Sequence, residues 1–180
     1  MYAAMWEHRR LPWKVISGGP GSCLYKTTDG GVTWNQIHNG LPKEKGKMDI
    51  AVSRSNSEKV YALVESDSNK ELGGLFVSNN AGKNWFKISS DHSLIQRAWY
   101  YIELFIDPTD EEKVYVLNAS AHCSIDGGKT WSRITGTHGD YHYICINPTN
   151  NKNMIIAIHV IAAVFYNYGN TCWSYTRIST

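Results

Sequence analysis

The sequence has no excess of charge of either sign. Eighteen Lys and Arg stand against sixteen Asp and Glu, a net charge of +2 with no basic run. That balance excludes a nucleic-acid footprint and a polybasic membrane patch. Long apolar runs are also missing. The most hydrophobic segment, Met154–Phe165, is interrupted by His159 and falls well short of the ~20 residues a spanning helix needs, so no membrane insertion is expected. Residues Met1 to Arg10 contain no signal-peptide apolar core. Cysteine is scarce: Cys23, Cys123, Cys145 and Cys172 form no CxxC pair and no zinc spacing. They read as scattered buried thiols whose pairing the sequence leaves open. No cofactor motif appears. Gly18-Gly19-Pro20-Gly21-Ser22 lacks the following Gly-Lys-Ser/Thr of a phosphate loop and reads as a plain loop. Asn118-Ala119-Ser120 matches a glycosylation acceptor, a motif common by chance. What is plentiful is aromatic: seven Trp and eleven Tyr in 180 residues. That favours β-structure and contact surfaces for carbohydrate or peptide.

One phrase recurs. Thr27-Thr28-Asp29-Gly30-Gly31-Val32-Thr33-Trp34 returns as Ser78-Asn79-Asn80-Ala81-Gly82-Lys83-Asn84-Trp85 and as Ser124-Ile125-Asp126-Gly127-Gly128-Lys129-Thr130-Trp131. A worn fourth copy runs from Phe165 to Trp173. The spacing matches a four-stranded propeller blade, roughly 40–50 residues. The phrase reads as a hairpin corner. The Asp or Asn bonds backbone N–H groups across the turn, Gly supplies positive φ, and the hydroxyl adds a local bond. The Trp starts the next strand and enters the apolar layer between blades. Thr27, Asp29, Gly31, Trp34, Ser78, Asn80, Gly82, Trp85, Ser124, Asp126, Gly128 and Trp131 are therefore expected to be structural.

Between the corners lies a second repeat of strand, polar turn, strand, as in Tyr101–Pro108 followed by Glu112–Leu117. The expected fold is all-β: a partial β-propeller of about four four-stranded antiparallel blades, over residues 1–40, 41–91, 92–136 and 137–180 of a single domain. The first blade reads as Tyr2–His8, Ser22–Thr28 and Thr33–Ile37, without an inner strand. A fragment of a longer ring is the expectation, with further blades or self-association completing it. A compact four-blade ring is the alternative.

These motifs resemble the Asp-box propellers: the sortilin/VPS10-like domains, the bacterial BNR or WD40/YVTN-like glycosyl hydrolase group and, more distantly, xyloglucanases and sialidases. Tyr2–Arg10, Gln96–Tyr101 and His138–His142 look most similar to the bacterial sortilin-like group. One departure is the turn near Ile158–Ala162, which has neither acid nor glycine where an Asn-Asp-Gly-Gly-like sequence is expected. The resemblance implies a secreted or periplasmic setting and a peptide, protein or glycan ligand.

Propeller ligands usually bind near the starts of inner strands. Asp49, Arg97, Trp99, Tyr100, Glu103, His138, Asp140 and His142 belong there. Arg97 beside Trp99 and Tyr100 offers a cation with stacking platforms; the alternative is packing between blades. His138-x-Asp140-x-His142, if extended, puts three polar groups on one face, but it lacks a fourth ligand and no metal is expected. Glu7, His8, Arg9 and Arg10 read as a solvated loop. A glycosidase needs two carboxyl groups about 5–9.5 Å apart, and Glu103 with Asp140 or Asp49 is the pair to nominate. The leading expectation is a non-catalytic binding or scaffolding propeller, ahead of a glycoside hydrolase fragment acting on polysaccharide.

Overall fold

A computed structural model describes residues 1–159, 161–166 and 171–176, with residue 161 and the last segment described by backbone alone. The boxes turn the chain between the last two strands of successive antiparallel sheets. The first sheet has three strands, β1 (Tyr2–Met5), β4 (Cys23–Lys26) and β5 (Asn35–Ile37), in that order, while β2 (His8–Leu11) and β3 (Lys14–Ser17) form a separate hairpin. The second sheet runs β6 (Met48–Val52), β7 (Val60–Val64), β8 (Gly74–Ser78), β9 (Phe86–Ser89). The third runs β10 (Glu103–Ile106), β11 (Val114–Leu117), β12 (Ala121–Ser124), β13 (Ser132–Ile134). The fourth runs β14 (Tyr141–Ile146), β15 (Met154–Ile158), β16 (Ile161–Tyr166), β17 (Thr171–Thr176). Strand β10 lies against β6, and β14 against β10, so the sheets fan from their inner strands as propeller blades do. Among the described residues no helix is long and apolar enough to cross a membrane.

The sequence of the second strands explains the layering. A strand buried on both faces can be apolar throughout, and β7 is buried at all five positions. Its period-two alternation deals side chains to different layers. Val60, Ala62 and Val64 face the first sheet with Leu24, Ile37 and Trp85. Tyr61 and Leu63 face the third sheet with Leu104, Val114 and Val116. Strand β11 repeats the scheme, sending Tyr115 and Leu117 to the layer shared with Ile144, Ile156 and Phe165 of the fourth sheet. The core is thus three layers between four sheets.

The tryptophans of the second and third boxes enter the layer on the side of the preceding sheet. Trp85 joins the first layer and is 3% exposed. Trp131 packs against the second. Trp34 has no preceding sheet among the described residues and is 41% exposed.

Three expectations are corrected. The strand read over Tyr2–His8 stops at Met5. Trp6 turns out of the sheet, stacks on His8 at 4.1 Å and donates from Nε1 to Ser17 Oγ at 3.0 Å. Second, His8, Arg9 and Arg10, read as a loop, form β2 of the hairpin, pinned to the second blade by Ser17 Oγ donating to Glu65 Oε2 at 2.5 Å. Third, Cys23 and Cys123 are buried free thiols, but Cys145 is exposed, because β14 alternates and Cys145 falls on its open side. The worn corner at 167–170 lies outside the described residues. The strands on either side of it pair Phe165 with Cys172.

Candidate functional site

The two ends of the blades differ in kind. At one end sit the box corners, closed on themselves. Thr27 Oγ1 donates to Asp29 Oδ1 at 2.7 Å and accepts Gly31 N–H at 2.9 Å, and Asp29 Oδ1 accepts Thr33 N–H at 3.0 Å. The second and third boxes repeat this with Ser78, Asn80, Gly82 and Asn84, and with Ser124, Asp126, Gly128 and Thr130. Trp34, Trp85 and Trp131 each donate Nε1–H to the carbonyl of Gly31, Gly82 or Gly128. Bonds from the neighbouring threonines hold the Asp29 and Asp126 carboxyls well below the usual range. Carboxylates so committed are poor proton carriers.

The opposite end carries the other candidates. After β9, Asp91 Oδ1 caps a short 3-10 turn by accepting Ser93 N–H at 2.9 Å. Asn118 Nδ2 donates to the carbonyls of Ser93 and Leu94. That amide is fully buried, so the glycosylation-like motif serves as an internal clamp. Leu94, Ile95, Ala98 and Tyr101 point into the core. The intervening side chains are thereby thrown outward: Trp99 is 47% and Tyr100 50% exposed. The Arg97 guanidinium lies 5.9 Å from the Trp99 ring and 5.7 Å from the Tyr100 ring. Beside Trp99 a groove of about 610 Å³ runs between the β2–β3 hairpin and this segment, lined by Ser17, Asp67, Lys70 and His92.

Arg97 Nη1 donates to Asp140 Oδ1 at 2.7 Å. The Tyr101 hydroxyl lies 2.8 Å from the same oxygen and 2.9 Å from the Asn118 carbonyl. The Tyr101 hydrogen bond, then the Arg97 charge and the imidazoles, hold the Asp140 carboxyl below its ordinary range against some desolvation. Burial and the Asp140 contact push the Tyr101 phenol up. His142 stacks on the Tyr101 ring at 4.6 Å.

The expected extended face of His138, Asp140 and His142 does not form. Asp140 adopts φ +75°, and β14 begins only at Tyr141. A register shift between Tyr141 and Tyr143 re-aims His142 toward Asp140. His138 is exposed, with Nδ1 3.2 Å from its neighbour's carbonyl, Gly139 O. The third member of the cluster is His159, which sequence reasoning missed; Asp140 Oδ2 is 3.9 Å from His142 Nε2 and 3.8 Å from His159 Nδ1. A signal existed: His159 is the one polar residue in the Met154–Phe165 run, at the turn lacking the expected acid and glycine.

Glu103 sits in different surroundings. Burial, then the Asp49 charge, push its carboxyl up to about 7, opposed by Lys47. Asp49 staples β6 to β10: Oδ2 accepts Leu104 N–H at 2.6 Å and Oδ1 accepts Ile50 N–H at 2.8 Å. The Lys47 ammonium donates to Tyr100 O at 3.0 Å and lies 5.0 Å from the Trp6 ring. Charges acting on Glu103 are thus Asp49 and Lys47, whereas those acting on Asp140 are Arg97, His142 and His159.

With this geometry in place, residues 122–133 match the family model for the BNR/Asp-box repeat. The fold is that of a partial BNR β-propeller. No curated protein matches the chain. Among solved structures, the Niastella koreensis GH74 enzyme aligns with TM-score 0.61 and 18% identity, over 90% of this chain and 27% of its own. YCF48 from Cyanidioschyzon merolae aligns with TM-score 0.57 and 18% identity, over 82% and 42%. YCF48 bound to D1 peptide aligns with TM-score 0.59 and 13% identity, over 97% and 57%. The chain therefore spans 27–57% of the length of these propellers, and at such identities the likeness concerns the fold.

Proposed function

We propose that this propeller is a non-catalytic binding module, and that its ligand, a peptide segment, seats on Arg97, Trp99 and Tyr100. The observation that carries this is the pair of half-exposed aromatic rings flanking one guanidinium, supported from beneath by Asn118 and the buried side chains of Leu94, Ile95 and Ala98. Exposed Trp and Tyr on an ordered backbone lose little conformational entropy on binding and are typical interface anchors. The neighbouring groove adds Lys70 and Asp67 as polar partners for a peptide backbone. A structural neighbour is a propeller bound to a peptide, which agrees with this reading, as does the sortilin-like resemblance with its extracellular or periplasmic setting.

A second reading, a polysaccharide-hydrolase fragment, draws on one observation: Glu103 is poised near neutral pH beside Asp49. Asp49 argues against a catalytic partner, since both its oxygens accept backbone N–H groups. Peptide and glycan arrays probed with the wild-type chain separate the two. The binding reading expects peptide capture lost in Trp99→Ala and Tyr100→Ala but kept in Glu103→Gln. Glycan cleavage that disappears in Glu103→Gln would replace it with the hydrolase.

A further inference from the structure

We infer that Asp140 Oδ2, His142 Nε2 and His159 Nδ1 form a site for a divalent transition-metal ion of the zinc class. One ligand atom from each of the three residues lies within 4.8 Å of the other two. Tetrahedral zinc with bonds of ~2.0–2.1 Å sets its ligand atoms roughly 3.3 Å apart. The separations of 3.8 and 3.9 Å from the carboxylate to the imidazoles exceed hydrogen-bond length, and an ion bound between them would draw each pair together by about half an ångström. Two imidazoles and one carboxylate favour zinc, nickel or cobalt over magnesium or calcium, which prefer all-oxygen shells.

The surroundings are built as a metal site's are. Asp140 divides its oxygens: Oδ1 takes Arg97 and Tyr101, and Oδ2 is left toward the two imidazoles. Such outer contacts fix the orientation of a ligating carboxylate. The backbone is fixed as well, since Asp140 N–H donates to Ala119 O at 3.1 Å and His159 N–H donates to Asp140 O at 3.1 Å. The left-handed φ of Asp140 is the kind of local strain that collects at functional sites. Stacking on Tyr101 holds the His142 ring in place. The Arg97 charge opposes a cation, so the site is one of moderate affinity. Three protein ligands leave a coordination position open for water or a ligand atom. The ion binds without any peptide present, so its titration does not depend on the peptide site.

The test is titration of the wild-type chain with Co²⁺, read by its visible absorption, and with Zn²⁺, read by thermal shift, with Mg²⁺ as the negative control. Saturable binding of one Co²⁺ and a Zn²⁺-dependent rise in Tm are expected. His159→Ala and His142→Ala should each weaken binding by tenfold or more, while His138→Ala leaves it unchanged. His159 is exposed, so its variant keeps the test valid if loss of the His142–Tyr101 stack impairs folding. No saturable Co²⁺ spectrum, or binding indifferent to His159→Ala, overturns the proposal.

Discussion

Replacing Trp85 and Trp34 in turn by alanine isolates the energy of the layers between blades. Both side chains make the same local hydrogen bond, from Nε1 to the glycine carbonyl three residues back. They differ in what covers the ring: Trp85 is 3% exposed and Trp34 41%. A Trp ring buries roughly 200 Å², worth about 5 kcal/mol at 25 cal/mol per Å² when fully covered. That figure is an upper bound, because unfolded chains already bury part of it. Trp85→Ala also leaves a cavity among Leu24, Ile37 and Phe76, so a loss of about 4 kcal/mol is expected. Trp34→Ala should cost about 2 kcal/mol or less, with little cavity to leave. Urea denaturation followed by far-UV circular dichroism measures both. Equal losses would refute the assignment of Trp85 to a shared layer, since the corner hydrogen bond would then account for the whole effect.

Other expectations follow from single sites. In the second box Ala81 holds φ +54°, where Gly30 and Gly127 stand in the other two. Ala81→Gly should stabilise by about 0.5 kcal/mol, the relief of left-handed strain exceeding glycine's entropy cost; a lower urea midpoint would contradict this. Asp126→Asn should lower Tm less than Asp126→Ala, because the amide oxygen still accepts Thr130 N–H as Asn80 accepts Asn84 N–H. Glu103 keeps its proton more readily folded than unfolded, since its carboxyl is raised from 4.5 to about 7. Its contribution is therefore full below about pH 4.5 and is lost as pH rises through about 7. Wild type should lose on the order of 1 kcal/mol relative to Glu103→Gln across that window, after allowance for partial exposure. Parallel stability–pH curves for the two proteins would count against it.

The fold was legible because its instructions are local and repeated. A hydroxyl, an Asp or Asn, a Gly and a Trp at fixed offsets specify one corner, and three copies with a worn fourth set the blade count. The all-apolar second strands β7 and β11 declare burial on both faces by composition, whereas β15, equally apolar, leaves Ile155 48% exposed. The candidate site was legible only in part. Arg97, Trp99 and Tyr100 could be nominated as a cation beside aromatic rings near an inner strand, but their composition suits packing between blades equally well, and their exposure emerged only from the fold. His159 stood out only as a polar residue in an apolar run, since its meeting with Asp140 depends on the pairing of β14 with β15 and the register shift in β14. The face expected for His138 failed for a related reason: Asp140 takes a left-handed conformation that breaks the alternation a strand would have imposed. The β2–β3 hairpin was missed because its residues are mostly exposed and carry no apolar alternation, and its anchor, Ser17 on Glu65, joins distant parts of the chain.

The most direct measurement is hydrogen–deuterium exchange of the chain with and without a peptide captured from the array. New protection is expected across Gln96–Tyr101 and the adjoining groove, with exchange at the three tryptophan corners unchanged. Protection concentrated at Asp29–Trp34, Asn80–Trp85 or Asp126–Trp131, with the Arg97 segment unaltered, would contradict it.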